Sequence, residues 1–222
     1  MGGNGVFAEH NCTNALPSGA NCIPPGAGGG CVTSGPFKNM SVNISPVAPT
    51  LTAAGIASTG WLTYQPRCLR RDVSPWVSSR WSTDDQSVTL IKNFNDIKSF
   101  QEYMQGVVNG VPFADGFFGV HAGGHYTIGG DPGGDFFASP GDPTFFLHHA
   151  QIDRTWWIWQ NQDISTRTSA AGGIGGSIHM FNDPATPLGT ATDFLDMSVL
   201  GLSATIGDML TTQGGPLCYI YI

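Results

Sequence analysis

Apolar positions recur at helical spacing in two parts of the chain. From Asp84 to Gln105, Val88, Ile91 and Lys92 can share a turn-spaced face; beyond Asn95, a possible cap, Ile97, Phe100 and Met104 recur at the same period. In the second part Asp142 can cap a helix, Pro143 takes its first position, and Thr144–Gln160 continues without Gly or Pro. Phe145, His149, Ile152 and Trp156 then line one face, and Thr144, His148, Gln151 and Thr155 a more polar neighbouring one. The pattern predicts a helical core over residues 84–161 and puts His149, rather than His148, among the inward residues.

Elsewhere the pattern breaks. Residues 1–50 are rich in Gly, Pro and Asn, with Pro-Pro-Gly-Ala-Gly-Gly-Gly at 24–30. The stretch 49–81 mixes short apolar runs with Trp61, Tyr64, Pro66, Pro75 and Trp76, which predicts loops packed on a core. Residues 1–83 thus read as a loop-rich, disulfide-pinned region, and 162–222 as a loop-rich cover. In that cover, Pro184 and Pro187 interrupt a Gly-rich run, short helical turns are expected over 192–210, and the weak alternation of Leu217–Ile222 suggests a strand. With 31 Gly and 15 Pro in 222 residues, the expected fold class is mainly α with long irregular loops, in a single domain spanning 1–222.

Charge and cysteine usage narrow the function classes. A net charge of −7 without any Lys/Arg run leaves nothing to neutralise phosphates, so nucleic acid is not an expected partner. No apolar stretch reaches the roughly 18–20 residues of a spanning helix, so no membrane crossing is expected. Cys12, Cys22, Cys31, Cys68 and Cys218 form no C-x-x-C pair, which favours disulfides over a zinc ribbon or a redox dithiol. Sequons at Asn11, Asn39 and Asn43 add to the expectation of a secreted glycoprotein, although the opening Met-Gly-Gly-Asn-Gly has no signal-peptide character. The odd cysteine count fits either a partner lost with an upstream segment or a free buried thiol.

The chemistry lies in the histidines. In His121-Ala-Gly-Gly-His125, imidazoles four apart share a helix face and can converge on one metal, or can be two hydrogen-bonded core residues. A zinc peptidase would need Glu directly after the first His; Ala122 stands there. The third candidate ligand is His149, on an inward helix face among aromatics, where an unpartnered imidazole is costly to bury. Asp153, one turn on, can orient a ligand or pair with an Arg, and His148 reads as structural or pocket-lining. An all-imidazole set suits copper, zinc or iron.

His121-x-x-x-His125, a Gly-rich loop, and Ser139-Pro-Gly-Asp-Pro-Thr-Phe-Phe-Leu-His-His-Ala-Gln-Ile-Asp-Arg154 together resemble the second-copper (CuB) signature of the tyrosinase, catechol oxidase and hemocyanin superfamily. Gly28-Gly-Gly-Cys-Val-Thr-Ser-Gly-Pro-Phe37 and Tyr64-Gln-Pro-Arg-Cys-Leu-Arg-Arg-Asp72 resemble its short secreted fungal members, and Tyr219-Ile-Tyr221 the tyrosine motif closing the family's catalytic core. The resemblance implies a type-3 copper four-helix-bundle domain with His121, His125 and His149 on CuB, and Asp153 and His148 around them. It also implies oxidation of o-diphenols, with O2 as oxidant, to o-quinones. Asn follows the first CuB histidine in many family members that hydroxylate monophenols, so Ala122 points to diphenols. Ala122, Tyr126, Phe136 and Phe137 are the candidate substrate pocket.

The family's other copper needs three further upstream histidines, and only His10 precedes His121. The expectation is therefore a domain lacking its first-copper half, begun mid-domain at residue 1 and completed by a companion segment. The alternative is a truncated, non-catalytic copper-binding relative that acts as a partner or homodimer; an oxygen carrier is a third option.

Overall fold

The computed structural model describes residues 3–8, 23–47, 59–60, 63–179, 182 and 184–222. It is helix-rich with a few short strands, and forms two compact units: Met1–Ser87 with Met104–Ile152, and Val88–Tyr103 with Asp153–Ile222. Cys12, Cys22 and the Asn11 sequon lie outside the described residues.

In the first unit, β1 (Ser41–Ile44) pairs antiparallel with β2 (Tyr64–Cys68), with an irregularity in register between Val42 and Ile44. The Cys31–Cys68 disulfide fastens the end of β2 beside a small core of Val32, Val42 and Leu69. Helix α1 (Pro75–Trp81) follows, in a stretch expected to be loop. Its start is a sequence feature in its own right: Ser74 accepts from the Val77 amide as N-cap and Pro75 sits in the first turn. Helix α2 (Asp84–Asn93) begins in this unit and continues into the second, where α3 (Ile97–Met104) begins.

Past α3, β3 (Val107–Val108) and β4 (Val111–Pro112) form a hairpin closed by Asn109-Gly110, both at positive φ, as a type I′ turn demands. Helix α4 (Gly119–Ile128) comes next and packs on α1, its Ala122 and Tyr126 buried with Val77, Phe113 and Phe118. Gly123 makes this approach possible, because a Cβ there would lie 2.5 Å from Cβ of Trp81. Gly129, at φ 59, ends the helix by donating its N–H to the His125 carbonyl.

Helix α5 (Thr144–Asn161) is the long element expected from the sequence, and Asp142 caps it: its carboxylate accepts from the Thr144 amide at 2.9 Å. The same carboxylate holds Arg71 in a buried two-point ion pair, 2.8 Å to Nε and 2.6 Å to Nη2. Along α5 the most buried residues are Thr155, Trp159 and Gln160, so the predicted division into an apolar inward face and a polar one does not hold at Thr155.

In the second unit Trp159 stacks on Phe100 with centroids 4.6 Å apart, donates its indole N–H to the Phe94 carbonyl, and lies under the guanidinium of buried Arg167 in α6 (Ile164–Arg167). Short 3-10 turns at Ser198–Leu200 and Gly207–Met209 match the expected helical turns, and β5 (Phe194–Leu195) with β6 (Ala204–Thr205) adds a small hairpin. Leu217–Ile222 is not a strand. Tyr219 and Tyr221, on the same side of the extended tail, both donate to the Asp153 carboxylate, so the alternation serves a side-chain acceptor rather than a sheet.

Removing one partner of the Arg71–Asp142 pair leaves the other charged and buried. Asp142→Asn, which keeps a capping oxygen, should lower unfolding free energy by about 3–5 kcal/mol in urea titrations. The double variant Arg71→Met/Asp142→Asn should be less destabilised than the sum of the two single variants.

Candidate metal centre

Helix α4 and the part of α5 that lies in the first unit carry the site. His121 and His125 lie one turn apart on α4, and His148 and His149 lie in the second turn of α5. The Nε2 atoms of His149 and His125 stand 3.1 and 3.3 Å from Nε2 of His121. Three imidazole nitrogens bound to one tetrahedral metal at about 2.0–2.1 Å would be spaced by about 3.3–3.4 Å, so this separation suits a single ion.

The outer nitrogens decide how those three atoms are charged. Nδ1 of His121 is 2.7 Å from Oε1 of Gln105, Nδ1 of His125 is 3.3 Å from the Gly133 carbonyl, and Nδ1 of His149 is 3.0 Å from the Phe145 carbonyl. Each facing atom is an acceptor, so each Nδ1 must carry the proton. In the neutral ring, Nε2 is then a bare lone pair. The lone pair of His121 thus faces those of His125 and His149 at short range, where lone pairs repel one another and a shared cation would turn the repulsion into bonding. Neither Gln105 nor the two carbonyls could be identified from the sequence, because each contact depends on how the chain folds back.

His148 also comes close: one ring nitrogen each from His121, His125 and His148 lie within 4.8 Å of one another. Its orientation differs, however. Nε2 donates to the His121 carbonyl at 2.8 Å, and the Nδ1–Cε1–Nε2 edge lies against Gly124, where a Cβ would be 2.0 Å from Cε1 and 2.3 Å from Nδ1. The ring ties α5 to α4, and Gly124 supplies the space for it. The Ala-Gly-Gly between the two α4 histidines thus has a distinct neighbour at each glycine, Trp81 at Gly123 and His148 at Gly124.

Burial and neighbouring imidazoles disfavour protonation of His121, His125 and His148. Desolvation, with His125, His148 and His149 nearby, lowers the pKa of His121 from 6.5 to about 3. That of His125 falls to about 4, through burial and then His149, and that of His148 to about 4, through burial and then His125. His121 and His125 are thereby held neutral, the form in which an imidazole binds a metal.

A cavity of about 260 Å³ opens on the site and is lined by His121, His125 and His149 together with Ala122, Tyr126, Phe136 and Phe137. Phe136 and Phe137 are 45% and 49% exposed, with Phe136 stacked on Phe113. Tyr126 is buried, and its hydroxyl is pushed up to about 12, first by burial and then by the charge of Asp135. Asp153 belongs to the second unit, where its carboxylate accepts from Tyr219 at 2.7 Å and Tyr221 at 2.5 Å. Burial and this carboxylate raise both phenol pKa values, that of Tyr221 to about 12.

Two outcomes follow. Between about pH 6.5 and 4 the unfolded chain takes up protons on these histidines while the folded chain does not, so stability must fall as pH falls through that window. Melting curves of the chain without metal should show this loss, and His121→Phe should weaken it. Gly124→Ala should cost about 1–3 kcal/mol by forcing the His148 ring aside. Adding His148→Ala should recover part of that cost in a double-mutant cycle.

The family model described as the common central domain of tyrosinase matches residues 1–162. Tyrosinase P of Aspergillus terreus is 35% identical over 209 residues, covering 94% of this chain and 56% of its own length. The N-acetyl-6-hydroxytryptophan oxidase ivoB of Emericella nidulans is 30% identical, covering 100% of this chain and 60% of its own. A variant of the polyphenol oxidase from Thermothelomyces thermophila superimposes with a TM-score of 0.87 at 38% identity, covering 100% of this chain and 59% of that one. The chain therefore spans little more than half the length of these relatives. A family match over most of the chain, relatives aligned along nearly all of it and a helix-rich fold shared with a polyphenol oxidase place it in the tyrosinase family.

Proposed function

We propose that this chain carries one copper site of a two-copper phenol oxidase, with His121, His125 and His149 as ligands, and that it oxidises o-diphenols to o-quinones when a companion segment supplies the second copper. The observation that carries the reading is the set of three Nε2 lone pairs, 3.1 and 3.3 Å apart about His121, each fixed by an acceptor on Nδ1. Copper, when bound, supplies the capacity to pass electrons from a phenol to dioxygen. Overall, two o-diphenols and one O2 give two o-quinones and two waters.

The chain's own residues provide the rest. The cavity beside the imidazoles suits one aromatic ring, with Phe136 and Phe137 offering apolar faces to it. Ala122, next to His121, offers no polar group to hold a water that could deprotonate a monophenol, which supports diphenols as substrates. His148, bonded to the His121 carbonyl and wedged on Gly124, holds α5 against α4 rather than binding the ion.

Beside the site, α5 exposes Phe146 at 63% and Leu147 at 52%, apolar surface that favours a companion segment over an isolated, inactive copper binder. The Cys31–Cys68 disulfide and the exposed Asn39 and Asn43 sequons support an extracellular, glycosylated protein, and among the described residues no helix is long and apolar enough to cross a membrane.

Elemental analysis of the purified chain should give one copper per chain. His121→Ala, His125→Ala and His149→Ala should each abolish binding, whereas His148→Ala should retain it. Catechol oxidation, followed as quinone absorbance, should appear only with the companion segment present. Full retention of copper in His149→Ala, or ordinary turnover by the isolated chain, would sink the proposal.

A further inference from the structure

Of the three acceptors that fix the ligand rings, two are backbone carbonyls, which no substitution removes. The third is a side chain. Gln105 follows the last residue of α3, and its Oε1 makes the shortest of the three contacts, 2.7 Å to Nδ1 of His121. His121 is the ring whose Nε2 faces both of the others.

We infer that Gln105 is a positioning residue that selects the metal-binding tautomer of His121. A carboxamide can play either of two parts. With its oxygen toward the ring it requires a proton on Nδ1 and leaves Nε2 free for a metal; with its NH2 toward the ring it would require a bare Nδ1 and put the proton on Nε2, blocking the site. The oxygen faces the ring here.

The backbone holds Gln105 at this distance. Gly106, at φ +75, lies so close to α4 that a Cβ would stand 2.5 Å from the Phe118 carbonyl oxygen and 2.8 Å from that of Phe117. The Gly106 carbonyl in turn accepts from the Phe113 amide at 2.7 Å, closing the loop around the β3–β4 hairpin. Only glycine fits both the conformation and the contact. The residue before it is thereby delivered to the first turn of the helix that carries His121, sixteen residues on.

This role rests on the copper reading above, and the test separates the two. Gln105→Leu keeps the bulk and loses the acceptor; Gln105→Glu offers oxygen only and removes the blocking orientation. In the full chain without metal, nitrogen-15 NMR at pH 7.5 should show His121 as the Nδ1–H tautomer in wild type and in Q105E, and a rise of the Nε2–H form in Q105L. Competition titration with copper(II) should show an affinity loss of about 10–100-fold in Q105L and none in Q105E. Melting temperatures without metal should match across all three.

The role is overturned if Q105L binds copper as tightly as wild type, if both variants lose affinity alike, if the melting temperature falls with affinity, or if wild-type His121 is already the Nε2–H tautomer. If copper binding vanishes in His121→Ala but persists in full in Q105L, only this role fails. If wild type binds no copper, the metal reading fails and takes this role with it.

Discussion

The first unit depends on a buried ion pair at the end of a segment that is neither helix nor strand. Arg71 reaches Asp142, and Asp142 in turn caps α5, so one carboxylate both neutralises a buried guanidinium and starts the helix that carries His148 and His149. The backbone around Arg71 is equally committed. The Arg71 carbonyl accepts from Gly5 and Gly29, the Arg70 amide donates to Asp131, and the amides of Asp72 and Ser74 donate to Ile128 and Thr127 at the end of α4. The Asp72 carboxylate takes the amides of Gly26 and Gly28. In a chain with 31 glycines, regular elements are too sparse to satisfy so many backbone groups, and charged side chains take over that work. The low charge content is consistent with this: Arg67 and Arg71, with Asp131 and Asp142, are spent on internal pairs.

How much of this was legible depends on whether a feature is local. Helix α5 was readable because Asp142, Pro143 and seventeen residues free of Gly and Pro state a helix in their own order. The approach of His121 to His125 was readable from their spacing, but the expectation that His149 rather than His148 faces inward is not met: both are half-buried, and His148 packs on Gly124 of α4. Helix α1 was missed although Ser74-Pro75 is a start signal, because two tryptophans and seven residues gave no period to recognise. The Asn109-Gly110 hairpin also had a local signal that went unread. Gln105 had none: its contact with His121 exists because Gly106 abuts Phe117 and Phe118, a fact of tertiary approach.

Alternation and amphipathicity misled where the partner was of an unexpected kind. The tail Leu217–Ile222 does alternate, but Tyr219 and Tyr221 meet a carboxylate instead of a strand. Thr155, placed on the more polar face beside the inward one, is buried one turn before Trp159, which stacks on Phe100. Periodicity reports which residues share a side; it does not report what that side meets.

The glycines of α4 show how the site and the fold constrain one another. Two consecutive glycines inside a helix each cost about 1 kcal/mol relative to alanine, and a helix of ten residues has little propensity to spare. They are placed where the helix is approached from two directions, by Trp81 on one side and by the His148 ring on the other. The second approach puts α5 near enough for His149 to bring its Nε2 to 3.1 Å from that of His121. A bulkier residue at Gly124 would improve the helix and separate the nitrogens. Weak local helix preference is thus the condition for close imidazole packing, and the stability it forgoes is offset by the aromatic core behind Ala122 and Tyr126 and by the ion pair that anchors α5.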